Sequence, residues 1–296
     1  MNASAERRAY ALMAVTPAMF AANMLTARAT AGEFPPIALA FWRWLAAFAL
    51  LAALGPQRPT DQRRALLAEW RDLLVLGALG MGVCGAFVYL GAATTTATNI
   101  GLIYACSPVL IILLGRAVGG EAMSARQALG VAICLAGVVT IIARGDLAAL
   151  LALRFTAGDL WIAGAALGWA VYTLLLRHRP SRAAPQLRFA AIMLAGVLVL
   201  LPFTIAEALL VGPPAWHWRT VGWVALLALV PGLGAYQSYD RIQRTLGPAR
   251  AGLLLYLIPV YNGALAWLLL GERLQAFHVA GAALVLPGLW LATRRG

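Results

Sequence analysis

The sequence predicts an all-α membrane protein: ten transmembrane helices forming two inverted five-helix repeats. Three observations carry this expectation. Hydrophobic residues make up 62% of the chain and charged residues 11%, whereas a soluble domain needs about 25% charged residues to cover its surface. Ten stretches are apolar over the roughly 20 residues that cross a hydrocarbon core. The chain also matches itself at an offset of 151 positions.

The ten stretches span 9–29, 36–55, 73–93, 97–117, 125–143, 158–177, 188–210, 220–239, 248–270 and 275–293, and their short connections leave no room for a soluble domain. The first has some look of a cleavable leader, with Arg7-Arg8 before the apolar run and Ala29-Thr30-Ala31 after it. The run is long for a leader and holds Pro17 and Asn23, so it reads as the first span. The second contains Arg43 about eight residues in, the only arginine well inside an apolar segment. The third carries Tyr89 and the fourth Tyr104, Ser107 and Pro108; the sixth carries Trp169 and Tyr172 three apart, as the eighth does Tyr236 and Tyr239. The ninth has Tyr256, Pro259 and Asn262. The eighth is read as ending just before Asp240.

The net charge of +12 comes entirely from arginine, since the chain has no lysine. With the N-terminus on the cytoplasmic side, 17 arginines fall inside and five outside (Arg28, Arg144, Arg154, Arg219 and Arg273). This positive-inside bias puts both termini in the cytoplasm. The basic charge therefore reads as membrane orientation, with the lipid bilayer as partner and no nucleic acid. Cys84, Cys106 and Cys134 are dispersed in apolar segments and no histidines cluster, so neither a metal site nor a cofactor is expected. There is no HExxH, GxSxG or paired-carboxylate pattern, so no catalytic residues are expected and an enzyme is disfavoured.

At the 151-residue offset Pro108 falls on Pro259, Val109 on Val260, Gly120 on Gly271 and Glu121 on Glu272; Gly130 and Gly137 meet Gly281 and Gly288, and Arg144-Gly145 meets Arg295-Gly296. The halves are 1–145 and 146–296. Five helices is an odd number, so two like halves in series insert with opposite orientation. Inverted repeats are the architecture of secondary transporters, with the substrate site between the repeats near the bilayer midplane. Pro108 and Pro259 each free the carbonyl four residues earlier, on Tyr104 and Leu255. Paired helix breaks of this kind point to the site. Pro17, Pro202, Pro231 and Pro287 have no partner in the other half, and a tolerated kink explains them as well as function does.

Pro-Val in the fourth and ninth helices with Gly-Glu just after each, Phe41-Trp42-Arg43, Gly271-Glu272-Arg273 and the ending Leu291-Ala292-Thr293-Arg294-Arg295-Gly296 together resemble the drug/metabolite transporter (DMT) superfamily. Within it the chain is most similar to the EamA-type bacterial metabolite exporters and their YddG-like amino-acid-exporting branch. The resemblance covers the whole chain and is specific for fold more than for substrate. It implies a multi-pass protein of a bacterial inner membrane, exporting an amino acid or similar metabolite by alternating access. It further implies a central cavity lined by helices one to four and six to nine, with five and ten peripheral; other metabolites or drugs are the alternative cargo. A monomer is expected, with a homodimer as the alternative.

The candidate lining residues are Asn23, Arg43, Tyr89, Tyr104, Ser107, Trp169, Tyr172, Tyr236, Tyr256 and Asn262, around the breaks at Pro108 and Pro259. Tyrosine offers a ring and a hydroxyl to an amphiphilic cargo; an interfacial aromatic belt suits Trp216, Trp218, Trp223 and Trp290 better. Arg43 reads either as a receptor for a substrate carboxylate or as a structural arginine that snorkels outward or holds helix-end carbonyls. No acidic residue falls at mid-helix depth, which argues against a cation–proton exchanger and favours uncoupled flux, with Asp240 the residue whose depth matters most.

Overall fold

The computed structural model describes residues 3–54, 60–118, 123–146, 148, 151, 154–270 and 275–293. Gly120, Glu121, Gly271, Glu272, Arg273, Arg294, Arg295 and Gly296, which figured in the repeat and the family resemblance, lie outside these residues. The fold is all-α. We number the main helices α1 (Ala3–Ala29), α2 (Pro36–Leu54), α3 (Thr60–Ala68), α4 (Trp70–Thr94), α5 (Ala97–Ala105 and Ser107–Ala117), α6 (Ala125–Ile142), α7 (Ala157–His178), α8 (Pro185–Val211), α9 (Trp218–Leu246), α10 (Pro248–Gly252, Leu253–Leu257 and Ile258–Leu270) and α11 (Ala276–Thr293). Among the described residues, nine helices are long and apolar enough to cross a membrane. The remaining predicted span is α10, which a 3₁₀ stretch over Leu253–Leu257 divides just before Pro259. The chain is a multi-pass membrane protein.

Two elements depart from the sequence reading. Helix α3 was not expected, being only nine residues long with Arg63 and Arg64 in it. It props the turn before α8, where Gln62 Oε1 accepts from the Ala184 N–H at 2.8 Å. Helix α9 does not stop at Tyr239; it continues to Leu246. Its last eleven residues, YQSYDRIQRTL, average polar, so a hydropathy reading ends early, but Tyr236, Tyr239, Ile242, Gln243 and Leu246 recur at helical spacing and are buried. Asp240 is therefore six residues inside the helix end.

The repeat is visible in packing. Helices α6 and α11 occupy equivalent positions in the two halves and lie directly against each other. A Cβ added to Gly130 would meet Gly288 O at 2.7 Å, and one added to Gly137 would meet Gly281 O at 2.7 Å. The first contact joins an early residue of one helix to a late residue of the other and the second reverses the order, so the helices run antiparallel, as inversion requires. The Cys134 thiol donates to Val285 O at 3.5 Å, a contact between positions 151 apart. A residue that touches its own repeat equivalent lies beside the axis relating the halves. The small residues let the backbones approach closely, the usual basis of helix association in lipid. Gly137→Ala and its equivalent Gly288→Ala should each lower the midpoint of thermal unfolding in detergent, by an overpacking cost of about 1–3 kcal/mol. Gly222→Ala, where an added Cβ meets nothing within 4 Å, should leave it unchanged.

A second pairing went unseen in the sequence. Residues Ala78–Val83 in α4 and Ala228–Ala235 in α9 are both π-helical, and at the 151-residue offset 78–83 falls on 229–234. Pro231 is thus not an isolated kink: it lies in the π segment that answers the glycine-rich one of α4. A π segment widens the backbone turn and is often found at functional sites. Here Tyr236 O–H donates to Gly80 O at 3.0 Å, tying one π segment to the helix of the other. In α5 the helix divides at Cys106, one residue before Ser107-Pro108. At the far end of α8, Glu207 accepts from the N–H groups of Ile37 (3.0 Å) and Ala38 (2.7 Å). A carboxylate at a helix N-terminus meets donors that lack an intrahelical partner.

Candidate functional site

Three of the predicted residues, from three helices, form one polar knot. Arg43 of α2 is 2% exposed. Its Nη1 donates to Asn23 Oδ1 of α1 and to Tyr89 Oη of α4, both at 2.7 Å, and Tyr89 O–H donates to Asn23 Oδ1 at 2.9 Å. The guanidinium also lies 4.6 Å from the Trp44 ring centroid and 5.3 Å from that of Tyr89. Arg43 therefore points inward and does not snorkel. Its Nε has no hydrogen-bond partner, and no ion pair joins it to a carboxylate among the described residues. A buried cation held only by neutral groups favours an anion placed beside it.

Next to this knot the interior is aromatic. Trp169 packs against Phe20 (5.5 Å between centroids), Tyr236 (5.3 Å), Tyr239 (4.9 Å) and Tyr172 (5.7 Å). Tyr236 also meets Trp44 at 4.9 Å and Phe189 at 6.2 Å. Trp44 thus links the aromatic chamber to the guanidinium. Tyr104 of α5 is within electrostatic reach of Arg43, Tyr89 and Tyr236. Contributions come from α1, α2, α4, α5, α7, α8 and α9, and none from the paired α6 and α11.

The chamber is approached from the arginine-rich end of the molecule. A cavity of about 240 Å³ is lined there by Tyr172, Phe189, Gln243 and the charged Arg177, Arg188, Asp240 and Arg244. Tyr172 and Phe189 belong to both cavity and chamber. Asp240 Oδ2 pairs with Arg244 Nη2 at 2.5 Å. The reading of the eighth span as ending just before Asp240 is corrected here: Asp240 stands in the cavity wall because α9 runs on past it.

At the opposite end of α7 a buried carboxylate gathers several donors. Asp159, in the first turn of α7 and 4% exposed, accepts from Asn99 Nδ2 at 3.0 Å, from Thr156 N at 2.6 Å, from Thr156 Oγ1 at 3.3 Å and, in a short bond, from Thr95 Oγ1. Asn99 Nδ2 also donates to Arg154 O at 3.1 Å. One carboxylate thereby holds the α4–α5 connection against the start of α7. At the 151-residue offset Asp159, Thr95 and Asn99 correspond to Arg8, Leu246 and Arg250. Two cations and a leucine cannot form this clasp, so the two ends differ chemically although the repeats match.

Not every predicted residue joins the site. Ser107 and Tyr256 are fully buried and their hydroxyls have no hydrogen-bond partner; Asn262 Oδ1 likewise has none. No ring contact or hydrogen bond among the described residues connects Tyr256 or Asn262 to the chamber. Conversely, Phe20, Trp44, Phe189 and Asp159 were missed. Phe20 and Phe189 carry no polar group to mark them, and Asp159 reads as an ordinary N-terminal acidic residue.

Among the described residues, nine spans and the divided α10 surround a buried polar and aromatic centre, the architecture of a multi-pass membrane transporter. The particular family follows from comparison: the profile of the EamA-like transporter family matches residues 7–143 and again 156–294. The chain belongs to that family. It is 27% identical over 293 residues to an uncharacterized transporter of Archaeoglobus fulgidus, covering 97% of this chain and 98% of the relative. It is 25% identical over 285 residues to a probable amino-acid metabolite efflux pump of Escherichia coli K12, covering 91% and 89%. A crystal structure of a protein sharing 20% identity superposes with a TM-score of 0.76 over 99% of this chain and 97% of the other, which shows the same fold.

Proposed function

We propose that this transporter exports small amphiphilic amino acids from the cytoplasm across a bacterial inner membrane by alternating access. The observation that carries the reading is Arg43: a buried guanidinium, unpaired with any carboxylate among the described residues, beside an aromatic chamber. A substrate carboxylate supplies the missing counter-charge, and its apolar side chain packs on the rings of Trp169 and Tyr236. The name of the Escherichia coli relative, a probable amino-acid metabolite efflux pump, agrees with this cargo.

The arginine-rich face is the cytoplasmic one, by the positive-inside bias. The cavity lined by Tyr172 and Asp240 is then open to the cytoplasm and the Asp159 clasp closes the outer side. Residues 1–145 and 146–296 are the units that rock against each other, and breaking the clasp accompanies outward opening. Purified protein in proteoliposomes loaded with unlabelled L-phenylalanine should accumulate labelled L-phenylalanine by saturable counterflow. Absence of counterflow for L-phenylalanine and for every other proteinogenic amino acid would sink the reading. Reporter fusions after Arg126 and after Arg273 should report opposite sides of the membrane; the same side for both would refute the assigned orientation.

A further inference from the structure

We propose that the cavity at the arginine-rich end is itself a capture subsite for a zwitterion, separate from Arg43, in which Asp240 receives the substrate ammonium and Arg188 its carboxylate. The inference rests on the reading of the chain as an amino-acid carrier and names how that cargo is recognised before it reaches the chamber.

The cavity of about 240 Å³ suits a single small metabolite. Its walls divide by chemistry. Leu176, Phe189, Ile192 and the ring of Tyr172 make an apolar floor, and Phe189 and Tyr172 pass contact on to Tyr236 (6.2 Å each). Around the rim stand Arg177, Arg188 and Arg244 against one carboxylate, Asp240. Three cations and one anion leave an excess of two positive charges, so the rim attracts a carboxylate even with Asp240 in place.

Two details favour a zwitterion over a plain anion. Asp240 engages Arg244 through Oδ2, and its side chain, 24% exposed, leaves room for an ammonium at the same carboxylate. Arg188 donates Nη1 to Leu176 O at 3.4 Å and Nη2 to Arg179 O, which fixes the guanidinium at the end of α7, while its Nε has no partner. An oriented guanidinium whose Nη1 and Nη2 each keep a second N–H, on one side of the cavity, and a partly free carboxylate on the other are the arrangement that an α-amino acid fills. Gln243, 1% exposed, donates Nε2 to Thr173 O in a short bond, and its Oε1 has no partner, adding an acceptor near the floor.

The test reads occupancy of the cavity separately from transport. Ser181 lines the cavity, so the thiol of a Ser181→Cys variant reports access there; Cys106→Ser removes the exposed native thiol, and Cys84 and Cys134 are buried. L-Phenylalanine should slow alkylation of the introduced thiol. L-Phenylalaninamide, which lacks the carboxylate, and 3-phenylpropionate, which lacks the ammonium, should each need about tenfold higher concentration, the loss of one charge-assisted contact. Asp240→Asn should weaken protection by L-phenylalanine about tenfold and should not weaken that by 3-phenylpropionate. Equal protection by all three ligands, or none by any, overturns the subsite. If that happens while counterflow of L-phenylalanine persists, the exporter reading stands without it. Charge-selective protection in protein that shows no counterflow keeps the subsite and refutes the exporter reading.

Discussion

Arg43→Gln is expected to reduce L-phenylalanine counterflow roughly a hundredfold, equivalent to about 3 kcal/mol of lost charge-assisted hydrogen bonding to the substrate carboxylate. The same change should not destabilise the protein. Tyr89 O–H still donates to Asn23 Oδ1 at 2.9 Å when the guanidinium is gone, so neither group is left without a partner. The substitution also removes a buried cation whose placement in a membrane costs about 2.5–3.5 kcal/mol on insertion scales. The midpoint of thermal unfolding should therefore stay level or rise while transport collapses. If both fall together, Arg43 is a structural pin joining α1, α2 and α4, and the carboxylate must be read elsewhere. Arg43→Lys is a sharper probe, because it keeps the charge but loses the planar fork that binds a carboxylate through two parallel bonds; transport should fall for it as well.

Asp159→Ala is expected to shift the balance of conformations about a hundredfold away from the state with the clasp closed. The carboxylate accepts from Thr95, Asn99 and Thr156, and the loss of these charge-assisted bonds amounts to about 3 kcal/mol. If the clasp is a gate, its removal favours the alternative arrangement, in which the cavity at the arginine-rich end is closed. The Ser181→Cys thiol should then be alkylated more slowly. If alkylation is unchanged and the unfolding midpoint drops, the cluster is a support of the fold and not a gate. The asymmetry of the two ends sharpens this expectation. Arg8, Leu246 and Arg250 stand at the equivalent positions of the other end, so those positions cannot form the same clasp on the arginine-rich side.

The contrast between these two predictions mirrors what could be read in the chain alone. The Arg43 knot was accessible to sequence reasoning residue by residue: Asn23, Arg43 and Tyr89 each stood out as a polar or charged group in an apolar segment, where a group must find a partner or a cavity. The Asp159 clasp was not. A carboxylate in the first turn of a helix is commonplace, and its partners Thr95 and Asn99 come from a connection some sixty residues away. The aromatic chamber falls between the two. Trp169, Tyr172 and Tyr236 were marked by helical spacing, but Phe20 meets Tyr236 across 216 positions of chain, and no local pattern announces that meeting.

By itself the sequence determined the all-α membrane class, its multiple spans, the duplication and its inversion. Each depends on a quantity that accumulates along the chain: apolar length against bilayer thickness, identity at a constant offset, and the odd number of spans in each half. The tertiary structure alone decided which faces meet. It set Asp240 in a cavity wall by carrying α9 to Leu246, paired the π segments of α4 and α9, and divided α10 with a 3₁₀ stretch before Pro259. The physical reason is that helical periodicity specifies the face on which a side chain lies, but its neighbour depends on close packing between helices. That packing is set by small residues such as Gly130, Gly137, Gly281 and Gly288, and by local changes of helical pitch that single backbone hydrogen bonds can shift.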